Sequence, residues 1–221
     1  PPVDREQRMA ESRQRLEQLS IPGPEGPLEA LLARPNAKPR GQCVVCHPHP
    51  LHGGAMTNKV VYTLAAAALA SGFVSLRFNF RGVGASAGTH DYGRGEVQDV
   101  IAAVRWLGQR EGDLPLFLAG FSFGSQMALR AAATVHPRWL VTVGTPSSGY
   151  IPGAEPGPPG CPWLAIHGRD DEVVDCATTQ AWLAGFTPPP RFEIVDGTGH
   201  FFHRHLGELR ALVEPFLAQA A

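Results

Sequence analysis

Four short runs dominated by apolar residues pace the middle of the chain: Cys43-Val44-Val45-Cys46, Phe73-Val74-Ser75-Leu76-Arg77-Phe78, Leu116-Phe117-Leu118-Ala119 and Leu140-Val141-Thr142-Val143. Each has the length of a buried strand. Helical stretches lie between them, from Asn58 to Ser71, from Glu96 to Leu107 and from Ser125 to Ala133. Strand and helix in alternation predict an α/β fold, a doubly wound and mostly parallel sheet with helices on both faces. Two more strands, Trp163–Ile166 and Phe192–Val195, flank a helix near Thr178 to Ala184, and His205 to Ala218 supplies a last helix. Upstream, two extended stretches between Leu16 and Ala33 flank Pro22-Gly23-Pro24-Glu25-Gly26-Pro27, whose turn-forming residues predict a reversal, so an N-terminal antiparallel hairpin is expected at a sheet edge. Residues 1–14 alternate charge without a clear apolar stripe and read as a polar tail, leaving 15–221 as a single domain. From Ser147 to Gly160, Pro152, Gly153, Pro156, Gly157, Pro158, Pro159 and Gly160 exclude a regular helix, so no cap domain is expected there.

At 221 residues the chain can bury roughly 70% of its unfolded surface without disulfide staples. Lys and Arg total 19 against 20 acidic residues, which leaves no footprint for a polyanion; nucleic acid is not an expected partner, and a neutral or weakly charged small molecule is. The polar start lacks the apolar core of a secretory signal or membrane anchor, and no stretch reaches transmembrane length. With four cysteines and no targeting segment, a cytoplasmic protein with reduced thiols is expected. Nothing in the composition bears on oligomeric state.

Chemistry enters at Gly120-Phe121-Ser122-Phe123-Gly124, which leads from an apolar strand straight into an Ala-rich helix. That is the context of a nucleophile elbow: glycines flank the serine because so tight a turn leaves no room for side chains, and the strain lifts the hydroxyl clear of the sheet. A serine hydroxyl is a poor nucleophile at neutral pH, so a base and an acid that orients it are required. Catalytic groups of a doubly wound sheet stand beyond the carboxyl ends of the strands. There the sequence offers His167-Gly168-Arg169-Asp170-Asp171-Glu172 after one strand and Asp196-Gly197-Thr198-Gly199-His200 after the next. Serine, aspartate and histidine then occur in the expected order. Of nine histidines, His200 lies in a glycine-bearing loop directly after a strand; His203 and His205 fall toward the final helix and His136 precedes Pro137, all three surface positions. Asp196 reads as a turn residue before Gly197.

These pieces, together with His47-Pro48-His49-Pro50, Gly53-Gly54 and Phe78-Asn79-Phe80-Arg81-Gly82-Val83-Gly84, resemble the α/β-hydrolases, and within them the small, lidless, dienelactone-hydrolase-like or carboxylesterase branch. The resemblance spans nearly the whole chain after the tail. It implies hydrolysis of carboxylic esters through an acyl-serine intermediate, with no cofactor and no metal. The chain departs from dienelactone hydrolases proper in carrying Ser122 where those enzymes carry cysteine. For the acid, the resemblance favours Asp171, with Asp170 beside it as the alternative; His167 is assigned only the shaping of the strand end. One oxyanion donor is the Phe123 N–H, by the geometry of the elbow. The second is sought in the loop after the Cys43 strand, where Pro48 and Pro50 have no N–H, leaving His49 and Leu51; the resemblance favours His49. Asn79, Arg81 and Gly84 suit loop fixing, since arginine cannot act as a base at neutral pH. The same machinery attacks other activated carbonyls, so thioester, lactone or peptide cleavage stays open, as does, more remotely, a non-catalytic binding role.

Three sharper patterns are set aside. Cys43-Val44-Val45-Cys46-His47 matches a haem-attachment spacing, but side chains three apart on a strand point to opposite faces and cannot grip one group. His47, His49 and His52 suggest a metal cluster, yet prolines frame two of them and no carboxylate is near in sequence. A disulfide between Cys161 and Cys176 is not expected in a reducing compartment.

Overall fold

The hydrophobic runs become eight strands of one sheet, described in a computed structural model for residues 16–147, 151 and 155–219. A hairpin comes first, β1 (Leu16–Gly23) and β2 (Gly26–Ala33). The strands run on through the prolines, pairing Pro22 with Pro27, so the reversal is shorter than the run of turn residues predicts. Only Pro24 and Glu25 remain for the turn, with Gly26 at φ 117° absorbing it. Pro22 is tolerated because β1 is the outermost strand, where a missing N–H breaks no ladder on the open side.

Then follow β3 (Gly41–Cys46), α1 (Lys59–Ala70), β4 (Phe73–Phe78), α2 (Arg94–Glu111), β5 (Leu116–Phe121), α3 (Phe123–Val135), β6 (Trp139–Val143), β7 (Trp163–Gly168), α4 (Cys176–Leu183), β8 (Arg191–Val195) and α5 (Leu206–Ala218). The strand order is β1-β2-β4-β3-β5-β6-β7-β8. β2 pairs antiparallel with β1 and β4, and every pair from β4/β3 to β7/β8 is parallel. The chain leaves β3 for β4 on one side and then crosses to β5 on the other. The order therefore reverses at β3, and the carboxyl ends of β3 and β5 open the crevice where open α/β sheets hold ligands.

Alternation along the strands divides the core in two. Val44, Cys46, Leu76, Phe78 and Leu118 face α2 and α3. Cys43, Val45, Phe73, Phe117 and Val141 face α1 and α5. Cys43 and Cys46 thus point to opposite faces, both buried and both free thiols.

Helix ends differ from the expected ones for local reasons. α2 starts at Arg94 rather than Glu96 because the Glu96 carboxylate reaches back to accept the Asp91 and Gly93 N–H groups at 2.9 and 2.8 Å, and it continues until Gly112, whose positive φ of 87° breaks the helical path. α4 starts at Cys176, two residues before the expected Thr178, because Asp175 caps it. α3 starts directly at Phe123, with Ser122 as its cap. Between β6 and β7 the described residues form neither helix nor strand; residues 148–150 and 152–154, and the tail expected at 1–14, lie outside the described residues. No helix among the described residues is long and apolar enough to cross a membrane.

Candidate active site

Ser122 occupies φ 53°, ψ −121°, a conformation that costs a non-glycine residue about 1–3 kcal/mol and persists only where its surroundings enforce it. Here β6 does so by accepting the Ser122 N–H at the Val143 carbonyl, 2.8 Å away, while the Ser122 carbonyl accepts from the Ser125 N–H at 2.9 Å. The flanking glycines answer to distinct neighbours. A Cβ on Gly120 would collide with the Gly124 carbonyl, and one on Gly124 with the carbonyl oxygens of Cys46 and His47. The first turn of α3 is thereby pressed against the end of β3, which brings the serine beside the loop that leaves that strand.

His200, in the loop after β8, reaches across to both partners. Its Nε2 is 3.0 Å from the Ser122 Oγ, and its Nδ1 is 2.7 Å from Oδ2 of Asp171. A carboxylate can only accept, so Nδ1 carries the proton and Nε2 presents its lone pair to the serine O–H. All three are shielded: Ser122 is 6% and His200 2% exposed, and the Asp171 side chain is fully buried. Burial by itself would raise the Asp171 carboxyl; hydrogen bonds from His167, His200 and the Val174 N–H outweigh it and hold the group well below the usual carboxylate range. Asp170, the alternative acid, is exposed and contributes its backbone N–H to the Thr198 carbonyl at 3.1 Å.

The loops bearing Asp171 and His200 are tied together. The His200 N–H donates to Glu172 at 3.2 Å, Arg169 N–H donates to the Val195 carbonyl at 2.9 Å, and Arg169 pairs with Asp196. Gly168 has no room for a Cβ against the Thr198 carbonyl, and a Cβ on Gly199 would displace the Glu172 carboxylate.

On the other side of Ser122 lies the loop after β3. Buried His47 accepts the Phe80 N–H at Nε2 (3.0 Å), so its Nδ1 bears the proton and donates it to the Pro48 carbonyl at 2.6 Å. Burial pushes His47 down to about 4, against the Pro48 hydrogen bond. Pinning the Pro48 carbonyl fixes the Pro48–His49 peptide plane, and in a trans peptide the His49 N–H then points the opposite way. The His49 ring stacks on His52 (centroids 4.4 Å apart) and lies 5.0 Å from the Phe123 ring. Phe123 itself opens α3, where N–H groups and the positive end of the helix dipole gather.

Other candidates take supporting places. Arg81 binds both oxygens of buried Asp99 and reaches Glu25. Asn79 accepts the Met56 N–H and donates to Glu29. His205 sits before α5, 2.9 Å from Glu208, and His136 ends α3 in a left-handed conformation. Two features escape the sequence reading: the Glu172 clamp on His200, and a His90–Glu96 pair at 2.7 Å beside Phe123. Among the described residues, no group of three or more His, Cys, Asp or Glu side chains could hold a metal ion. Cys161 and Cys176 are free thiols.

Comparison with known proteins bears on the family and the fold. The profile of the X-Pro dipeptidyl-peptidase (S15) family matches residues 26–150, more than half of the chain. An α/β serine hydrolase without lid from Xanthomonas campestris is 38% identical, with a TM-score of 0.85 over 92% of this chain and 94% of that one. An α/β serine hydrolase homologue from Coxiella burnetii is 40% identical, with a TM-score of 0.84 over 91% of this chain and 97% of its own. An uncharacterised protein of Rickettsia prowazekii is 28% identical over 90% of this chain and 88% of its length.

Proposed function

The chain belongs to the α/β serine hydrolases without a lid, and from that premise we propose that it cleaves carboxylic esters through an acyl-serine intermediate. The observation that carries the reading is His200, bridging the Ser122 hydroxyl and the Asp171 carboxylate at 3.0 and 2.7 Å. His200 Nε2 takes the Ser122 proton as Oγ attacks the carbonyl carbon, and the Asp171 carboxylate keeps the imidazole in the required tautomer and offsets the charge it gains. The tetrahedral oxyanion is held by the Phe123 and His49 N–H groups. The imidazolium then returns its proton to the departing alcohol, and water repeats the sequence to free the acid. No step calls on a cofactor. The substrate is a small ester-like molecule whose carbonyl can approach an open crevice.

The S15 profile match gives a second reading its own support: the same groups would cleave a peptide after an X-Pro pair. Rates on a p-nitrophenyl ester series and on X-Pro p-nitroanilides separate the two. Turnover of short-chain esters that is lost in Ser122→Ala is the expected result; turnover of X-Pro anilides alone would transfer the assignment to a peptidase.

A further inference from the structure

Asp171 accepts more hydrogen bonds than the proposed chemistry uses. Its Oδ1 takes the Val173 and Val174 N–H groups at 2.9 and 2.7 Å. Its Oδ2 takes His200 Nδ1 at 2.7 Å and also stands 3.2 Å from Nε2 of His167. That nitrogen is in turn 2.9 Å from the Val174 carbonyl oxygen. Neither a carbonyl oxygen nor an ionised carboxylate can donate, so His167 Nε2 must carry a proton, with the Val174 carbonyl oxygen and Asp171 Oδ2 both within reach of it. The geometry is closed to solvent, with side-chain exposures of 1% for His167, 0% for Asp171 and 3% for His200. The His167 ring also packs beside Phe192 of β8, centroids 6.3 Å apart, which limits its tilt.

We infer that His167 is a positioning residue for this site: its Nε2–H holds Oδ2 of Asp171 in the orientation that meets His200, and divides the carboxylate's negative charge between two imidazoles. The inference rests on Ser122, His200 and Asp171 being the reacting set. The Val173 and Val174 N–H groups pin only Oδ1, about which the carboxylate plane can still pivot. A second donor within reach of Oδ2, besides His200, limits that freedom. His167 is the penultimate residue of β7, and the turn at 169–170 brings Asp171 back beside it, so an i, i+4 pair that would be unremarkable in a helix becomes a tether at a strand end. Outer hydrogen bonds of this kind orient working side chains, and their loss shows in rate more than in binding.

The test uses full-length protein and the rate of fluorophosphonate addition to the serine, which reports Ser122 reactivity whatever the natural substrate. His167→Leu keeps an apolar volume but no donor; it is expected to slow the addition, and kcat on a p-nitrophenyl ester, about 10-fold with KM unchanged, the scale of one hydrogen bond to a charged group. His167→Gln, whose amide nitrogen can stand where Nε2 stood, is expected to recover most of that loss. If His167→Leu does not fold, His167→Asn, soluble but too short to reach Asp171, takes its place beside the Gln variant. A wild-type rate in the donor-less variant, or a Gln variant no faster than it, would overturn the inference. A wild-type protein that forms no adduct at all would remove the serine reading beneath it.

Discussion

In the proposed mechanism His49 acts through its backbone N–H and not through its side chain. It has φ −53°, which a proline ring can adopt without strain. His49→Pro therefore removes one N–H from the crevice while leaving the path of the loop open to the same conformation. Loss of an oxyanion donor typically costs about 100- to 1000-fold in kcat, and that loss is expected here, measured on a p-nitrophenyl ester. His49→Ala retains the N–H and should lose far less. Equal losses in the two variants would locate the effect in the ring. Among single residues, Ser122 and His200 were legible in the sequence because each sits at a turn whose glycines announce it. Asp171 against Asp170 was not legible from the residues alone, since adjacent carboxylates in a loop differ only in which one folds inward, and that depends on the Val173 and Val174 N–H groups capturing Asp171. The second partner of that carboxylate, His167, gave no signal beyond its spacing.

The elements that carry these residues are joined by contacts remote in sequence. Arg81, in the loop after β4, forks onto Asp99 in α2 and extends to Glu25 in the hairpin turn, with side-chain exposures of only 4% for Arg81 and 1% for Asp99. The fork ties three elements to the flank of the crevice. Arg81→Ala would leave the Asp99 carboxylate buried without its partner, and the expected cost is roughly 3–5 kcal/mol of stability, read as a lower urea midpoint. An unchanged midpoint would mean that water reaches Asp99 freely. Strands and helices were mostly visible as alternating apolar segments, and their ends were not. The ends of α2 and α4 are set by Glu96 and Asp175 capping their own helices, and the hairpin turn by a single glycine at positive φ. Such interactions involve one side chain each and leave the hydrophobic period unchanged. The Arg81–Asp99 fork was likewise invisible, because two charged residues 18 apart show no pairing until α2 packs on the sheet.

Across the whole molecule, strand order decides where the chemistry lies. Reversal at β3 opens the crevice, β5 delivers Ser122 into it, and β7 and β8 bring Asp171 and His200 to it. Topology of this kind was legible because only a doubly wound sheet suits so regular an alternation of strand and helix. A global consequence follows from burying His47 as a neutral ring. Its ordinary value near 6.5 falls to about 4 in the folded protein. The unfolded chain thus binds a proton that the native state refuses, so stability is complete above about pH 6.5 and declines as pH falls toward 4, by roughly 3 kcal/mol. His49, lowered in the same direction by burial and by His52 and His90, adds to the trend. Urea midpoints measured from pH 7 to pH 4 should fall, and His47→Gln should flatten the slope. A slope unaffected by that substitution would place the acid sensitivity elsewhere.

All of these expectations turn on whether the Ser122 hydroxyl is made nucleophilic by His200. Intact-mass spectrometry after exposure to a fluorophosphonate asks this directly, without knowledge of the substrate. One adduct per chain is expected on the wild-type protein, mapped to the peptide carrying Ser122, with none on Ser122→Ala and slow addition to His200→Ala. An adduct on Ser122→Ala at the wild-type rate, or equal reactivity with and without the imidazole, would contradict it.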